Sequence, residues 1–151
     1  MIRKARIEDV RTIHKMLEFY SRRNELLARS LSELYDNMRD FFIYADGVPE
    51  QVVGSCAMHI CWEDLAEIRS LCVLEEYQGK GIGTKLVESC ISEAIALGLF
   101  KVFVLTYRPG FFQRMGFQEV DKSSLPHKVW ADCIHCVKFP ECDEVAMIMK
   151  L

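Results

Sequence analysis

No apolar run in this sequence approaches the roughly 18–20 residues that span a bilayer, so no segment reads as a membrane helix. Positive charge is not in excess either. The formal net charge is −3, which argues against a general nucleic-acid binder, because such proteins are usually basic. An anionic small ligand stays open, since sites use local rather than net charge. Nothing repeats, and no segment is low in complexity. The start, Met1-Ile2-Arg3-Lys4-Ala5-Arg6, has no hydrophobic signal segment behind it. Seven cysteines, an odd number, suit a reducing compartment better than a disulfide framework, and a cytoplasmic protein is expected. The 151 residues, half of them apolar and 27% charged, suffice for a single domain over 1–151 with a substantial core.

Hydrophobic spacing supplies the elements. Residues 2–6 read as a short strand, and Val10, Ile13, Leu17 and Tyr20 recur at helical spacing. After the polar break Arg22-Arg23-Asn24-Glu25, Ser30 and Glu33 form a capping box that opens a second helix. Residues 41–45 and 52–60 read as a hairpin about the turn Asp46-Gly47-Val48-Pro49, and 67–74 as a further strand. The next helix carries Leu86, Val87, Cys90, Ile91, Ala94 and Ile95 on one face, and Gly98 is its stop. Lys101–Thr106 has the unbroken apolar character of a strand buried on both faces. A short helix over 110–115, a strand beginning at Gly116-Phe117, an irregular segment over 121–143 and a last strand over 145–151 complete the chain. The order is β-α-α-β-β-β-α-β-α-β-loop-β, an α/β or α+β fold on a mixed sheet. Cys56, Cys61, Cys72 and Cys90 fall in apolar contexts, where cysteine serves as a small buried hydrophobe.

The most informative stretch is Gln78-Gly79-Lys80-Gly81-Ile82-Gly83, between a strand and the long helix. Alternating glycines let the backbone approach a ligand and aim its N–H groups, and the helix adds its own unpaired N–H groups and dipole. That combination is a seat for phosphate or pyrophosphate. A Walker loop needs Gly, four residues, then Gly-Lys-Ser/Thr; here Gly83 is followed by Thr84-Lys85, with no glycine at the earlier spacing. A dinucleotide fingerprint needs Gly-x-Gly-x-x-Gly opening the first βαβ unit, whereas this turn reads Gly-x-Gly-x-Gly in mid-chain. A glycine-rich turn without a ligand is the plain alternative.

Leu71-Cys72-Val73, a short spacer and the glycine turn, followed by Phe111-Phe112-Gln113-Arg114-Met115-Gly116-Phe117, closely resemble the acetyl-CoA motif of the GNAT N-acetyltransferase superfamily. The element order is also that superfamily's, so the resemblance covers essentially the whole chain. It implies a mixed, mostly antiparallel central sheet with splayed parallel central strands and helices on both faces. It further implies acetyl-CoA as co-substrate, with no metal required. The main chain of Leu71, Cys72 and Val73 would pair with the pantetheine arm, as a strand edge pairs with a peptide. The turn Gln78, Gly79, Lys80, Gly81, Ile82, Gly83 and Thr84 would hold the pyrophosphate, with Phe111 and Arg114 beside the coenzyme. Small proteins of the superfamily are commonly dimers, so a homodimer is the implied assembly.

Acetyl transfer to an amine needs a base, because the amine arrives as ammonium. Glu67, four residues before Leu71, stands where histone acetyltransferases of the superfamily carry a catalytic glutamate; its alternative is a strand carboxylate paired with Arg69. By the same resemblance the backbone N–H near Cys72 is the oxyanion donor. Many members carry a tyrosine acid four residues before the Gly-Phe pair, where this chain has Phe112. Tyr107 is then either a substitute acid or a residue lining the substrate site. The runs 66–73, 105–112 and 125–130 are similar to short amino-acid N-acetyltransferases and to the acetyltransferase domain of N-acetylglutamate synthase. L-Glutamate is therefore the implied acceptor, in the first step of arginine biosynthesis. Another small amine, a peptide α-amine, or a non-catalytic acetyl-CoA-binding regulatory module are the other readings. No amino-acid kinase domain like that of the longer synthases is expected, and so no arginine feedback through one. Two substrate carboxylates call for cationic donors: Arg69 on the strand of Glu67, Arg22 or Arg23 in the linker, and Lys128 in the irregular segment. Cys133, Cys136 and Cys142, with His127 and His135 nearby, invite a structural zinc reading against the alternative of packing or surface thiols.

Overall fold

The computed structural model describes residues 1–126 and 143–151. Its strands are β1 (Ile2–Lys4), β2 (Phe41–Asp46), β3 (Gln51–Trp62), β4 (Leu65–Val73), β5 (Lys101–Thr106), β6 (Gln118–Val120) and β7 (Val145–Lys150). They form one sheet in the order β1-β2-β3-β4-β5-β7-β6, in which every neighbouring pair is antiparallel except β4 with β5. The helices are α1 (Val10–Ser21), α2 (Leu31–Asp36), α3 (Ile82–Ala96) and α4 (Pro109–Arg114). Among the described residues no helix is long and apolar enough to cross a membrane.

Strand alternation sorts the core onto the two faces. Phe41, Ile43 and Ala45 of β2 pack with Val10, Ile13 and Leu17 of α1 and Leu34 of α2. Val53, Cys56 and Met58 of β3 and Val102 and Val104 of β5 pack under α3, against Leu86, Val87 and Cys90. Phe103 faces the other way and joins Leu65, Leu125 and Ala146, so β5 is buried on both sides as its composition implies. Phe112 and Phe117 meet edge to face beneath α4, with ring centroids 5.2 Å apart. Cys56, Cys61, Cys72 and Cys90 are buried.

Local chemistry sets the ends. The Ser30 hydroxyl accepts from the Glu33 N–H at 3.1 Å and opens α2. Gly98, at φ +83°, stops the chain after α3 and donates to the Ile95 carbonyl at 3.0 Å. β1 ends at Lys4 rather than continuing to residue 6, because the Arg6 N–H turns to the Asp9 carboxylate at 2.7 Å and begins a helical turn. β3 and β4 run further toward each other than their apolar runs suggest, meeting in a tight turn at Glu63-Asp64.

Asp9 ties this corner together. Its nearly buried carboxylate accepts from both terminal nitrogens of Arg3, at 2.7 and 3.1 Å. Burial pushes the carboxyl up, but the Arg3 and Arg6 hydrogen bonds outweigh it and hold the group below the usual carboxylate range. Stability from this group is therefore complete above its unfolded pKa and lost as pH falls through the folded value. Asp9→Asn is expected to lower urea stability by about 1–3 kcal/mol near neutral pH. The gap to the unaltered protein should narrow once the pH drops below about 4.

Candidate active site

β4 and β5 pair only at Leu65–Lys101, Ala66–Val102 and Glu67–Phe103. Beyond that point β5 continues beside β7 as far as Thr106, and β4 continues beside β3 as far as Val73. Two strand edges therefore face each other across a gap. A bulge accompanies the parting: Cys56 of β3 lies opposite both Ser70 and Leu71, between the pairs Ser55–Cys72 and Ala57–Arg69. Ser70 adopts a left-handed φ of +57°, and the buried Ser55 hydroxyl donates to its carbonyl at 3.0 Å. The extra residue reverses the sides of β4. Ile68 packs under α3, whereas Cys72 packs with the α1 core.

A cavity of about 560 Å³ fills the gap. One wall is β4 from Glu67 to Val73, and the opposite wall is β5 from Val104 to Thr106, continued by Tyr107 and Arg108. The glycine turn and the first turn of α3 close the α3 end, with Phe111, Phe112 and Arg114 of α4. Tyr20 and the linker residues Glu25, Leu26, Leu27 and Arg29 close the α1 end. The cavity thus passes through the sheet from one helical layer to the other.

At the α3 end, Gly79 and Gly81 hold φ of +77° and +81°, conformations that other residues reach only with strain. A Cβ at either position would meet nothing within 4 Å, so both peptides border open space. The N-cap of α3 is Gly81, which has no side chain to cap the helix, so its first N–H groups are open to an anion. Gly83 lies inside the helix, where a Cβ would touch the Phe111 ring at 3.6 Å; this glycine sets how closely α4 approaches the turn. Lys80 does not line the cavity; its ammonium sits 5.3 Å from the Tyr77 ring centroid. The donor set therefore fits a pyrophosphate.

The carbonyl of Val73 accepts from the Tyr20 hydroxyl at 2.8 Å and from the Gln78 side-chain amide at 2.9 Å. Both lone pairs are used, so a ligand along this edge is left the N–H groups and the other carbonyls. Burial pushes the Cys72 thiol up to about 11, against hydrogen bonds from Ser55 that lower it. It stays neutral at ordinary pH, a poor nucleophile.

At the α1 end Glu67 and Arg69 share a face, because the bulge falls just past Arg69. Their charged groups approach to 3.5 Å, and each side chain is 15% exposed. Tyr107 also lines the cavity, donating its hydroxyl to Asp143 at 2.8 Å. Arg22 is elsewhere: it is 76% exposed and pairs with Glu18 one helical turn back, outside the cavity wall. Arg29 supplies the cation from this linker instead. It pairs with Glu33 at 3.4 Å, and among the described residues its buried Nε has no hydrogen-bond partner. Sequence spacing gave no signal for Arg29. Arg108 and Glu25 face each other across the mouth at 3.8 Å. Lys128, Cys133, Cys136 and Cys142 lie outside the described residues. Among the described residues no group of three His, Cys, Asp or Glu side chains is placed to hold a metal ion.

Comparison with known proteins identifies this arrangement. The model of the acetyltransferase (GNAT) domain family matches residues 37–119. An uncharacterised N-acetyltransferase of Chlorobaculum tepidum is 44% identical over 150 residues, covering 99% of this chain and 96% of its own. An amino-acid acetyltransferase of Mycobacterium tuberculosis is 34% identical over 131 residues, 86% of this chain and 75% of its own. A crystal structure of a Mycobacterium tuberculosis protein in complex with CoA superposes with a TM-score of 0.87 at 29% identity, covering 100% of this chain and 99% of that one.

Gly81→Ala places a Cβ in the open space of the turn and a side chain in left-handed backbone. It should cost about 1–2 kcal/mol of stability. Calorimetric titration with coenzyme A should show at least roughly tenfold weaker binding, because the added methyl enters the open space beside the turn's N–H groups.

Proposed function

The chain belongs to the GNAT acetyltransferase family, and on that premise we propose that it transfers the acetyl group of acetyl-CoA to the α-amine of L-glutamate. Acetyl-CoA is the donor and supplies an activated thioester. On this reading its pyrophosphate sits on the glycine turn and its pantetheine arm runs along the open edge of β4. Glutamate enters from the α1 side. Glu67 accepts the ammonium proton, directly or through a water. The freed amine attacks the thioester carbonyl, the C–N bond forms, and the C–S bond breaks as the thiolate leaves. The N–H near Cys72 is the donor to the oxyanion. Attack is direct, because the neutral Cys72 thiol is no acyl carrier.

One observation carries the choice of acceptor. Among the described residues the buried Nε of Arg29 has no hydrogen-bond partner, and Arg69 stands beside Glu67 on the same side of the cavity. A buried donor left unpaired costs about 1–3 kcal/mol, and a carboxylate removes that cost. Glutamate brings two carboxylates, one for each guanidinium. The likeness to an amino-acid acetyltransferase supports the same class of acceptor. The product would be N-acetylglutamate, formed in the cytoplasm at the first step of arginine biosynthesis, by a homodimer of this domain.

Thiol release from acetyl-CoA against free amino acids and short peptides tests the reading. L-Glutamate should give the highest kcat/KM. No rate with glutamate above hydrolysis would move the acceptor to another small amine or a peptide α-amine. Glu67→Gln should lower kcat about 100-fold or more at neutral pH. Arg29→Leu should raise KM for glutamate at least roughly tenfold, with the KM for acetyl-CoA little changed.

A further inference from the structure

One polar pair on the α1 face of the sheet is used by nothing described so far. His59 of β3 and Asp40, in the turn that enters β2, meet through Nδ1 and Oδ2 at 2.7 Å. His59 is the direct cross-strand partner of Glu67, within the regular run Met58–Ile68, His59–Glu67 and Ile60–Ala66. Residues opposite one another in an antiparallel pair lie on the same face, with Cβ atoms about 4.5–5.5 Å apart. The neighbouring pair Met58 and Ile68 packs under α3, so His59 and Glu67 both face the α1 side.

We propose that His59, oriented by Asp40, passes the acceptor's proton from Glu67 to solvent. The proposal rests on Glu67 as the base. An ionised carboxylate only accepts, so Asp40 takes the Nδ1–H and leaves the lone pair on Nε2. The proton balance is closed. The ammonium gives H⁺ to the Glu67 carboxylate; the resulting acid gives it to Nε2, directly or through one water. Asp40 then faces an imidazolium, which it stabilises, and Nε2–H releases the proton to bulk water. The exit is open, since the His59 and Asp40 side chains are 28% and 24% exposed. On this face Asp40, Glu67 and Arg69 are the charged groups that the strand register and ion pairs place beside His59, and the segment that carries Lys122 packs Leu125 against Cys61 and Phe103 on the same side. α1, packed on the same face of β3, presents Val10, Ile13, Met16 and Leu17. The Arg69 guanidinium stands 3.5 Å from the Glu67 carboxylate on this face. His59 is thus a relay behind the base and not a catalytic residue.

A merely structural role, in which the pair straps the turn to β3, makes a different prediction. His59→Gln retains an amide donor for Asp40 and so retains the strap. The relay predicts kcat down by roughly tenfold with KM for both substrates unchanged, and a rate that rises with added imidazole. Asp40→Asn should show a smaller fall in kcat and a displaced acidic limb of the pH–rate profile. Wild-type kcat in folded His59→Gln, or a loss that imidazole does not restore, overturns the relay. Should His59→Gln fail to fold, wild-type kcat and pH profile in Asp40→Asn overturn it equally. Glu67→Gln separates the two levels. If that variant keeps its rate, the base assignment fails; if it loses rate while His59→Gln does not, only the relay fails.

Discussion

The parallel ladder between β4 and β5 stops at Glu67–Phe103, and both strands then keep their outer neighbours while parting from each other. A sheet that loses a ladder in its interior exposes two rows of backbone polar groups, which would be a liability without a ligand to pair with. The Ser70 bulge reverses β4 at this place. It is tied from behind by the Ser55 hydroxyl, and the end of the strand by Tyr20 on the Val73 carbonyl. Those ties come from β3 and α1, so the opening is built into the core and does not depend on a loop. With the gap in place, a strand-like amide chain has an edge to lie on.

The same parting lets two chemically different substrates meet. The cavity opens on the α3 side at a glycine turn with backbone donors, and on the α1 side at Glu67, Arg69 and Arg29. On the proposed reading an anionic coenzyme and a dicarboxylate acceptor would be met by different donors, N–H groups at one end and guanidinium groups at the other. The bulge decides which side chains serve the acceptor. Placed just past Arg69, it leaves Glu67 and Arg69 on one face.

Most of the architecture was legible because its causes are local. Lys101–Thr106 is a strand because its centre, Val102 to Leu105, is apolar, Gly98 ends a helix because it tolerates left-handed backbone, and Ser30 caps one because its hydroxyl can accept from the N–H three residues on. The glycine turn was legible for the same reason. The bulge was not. Serine has no preference for the left-handed region, and the group that holds Ser70 there lies fifteen residues away in the sequence. Arg29 was equally hidden: charged residues in a polar linker look alike until the fold chooses among them. There it turns Arg29 inward and leaves Arg22 on Glu18. Tyr20 read as one more apolar helix position, although its hydroxyl reaches the end of β4.

Amide hydrogen exchange with and without coenzyme A tests the central claim, that the parted edge of β4 and the glycine turn together receive the donor. Protection on binding should be concentrated over 71–73 and 79–84, with β1, β2 and the β3–β4 turn little changed. Binding without added protection at 71–73 would contradict the account, because the open strand edge would then not be where the coenzyme lies.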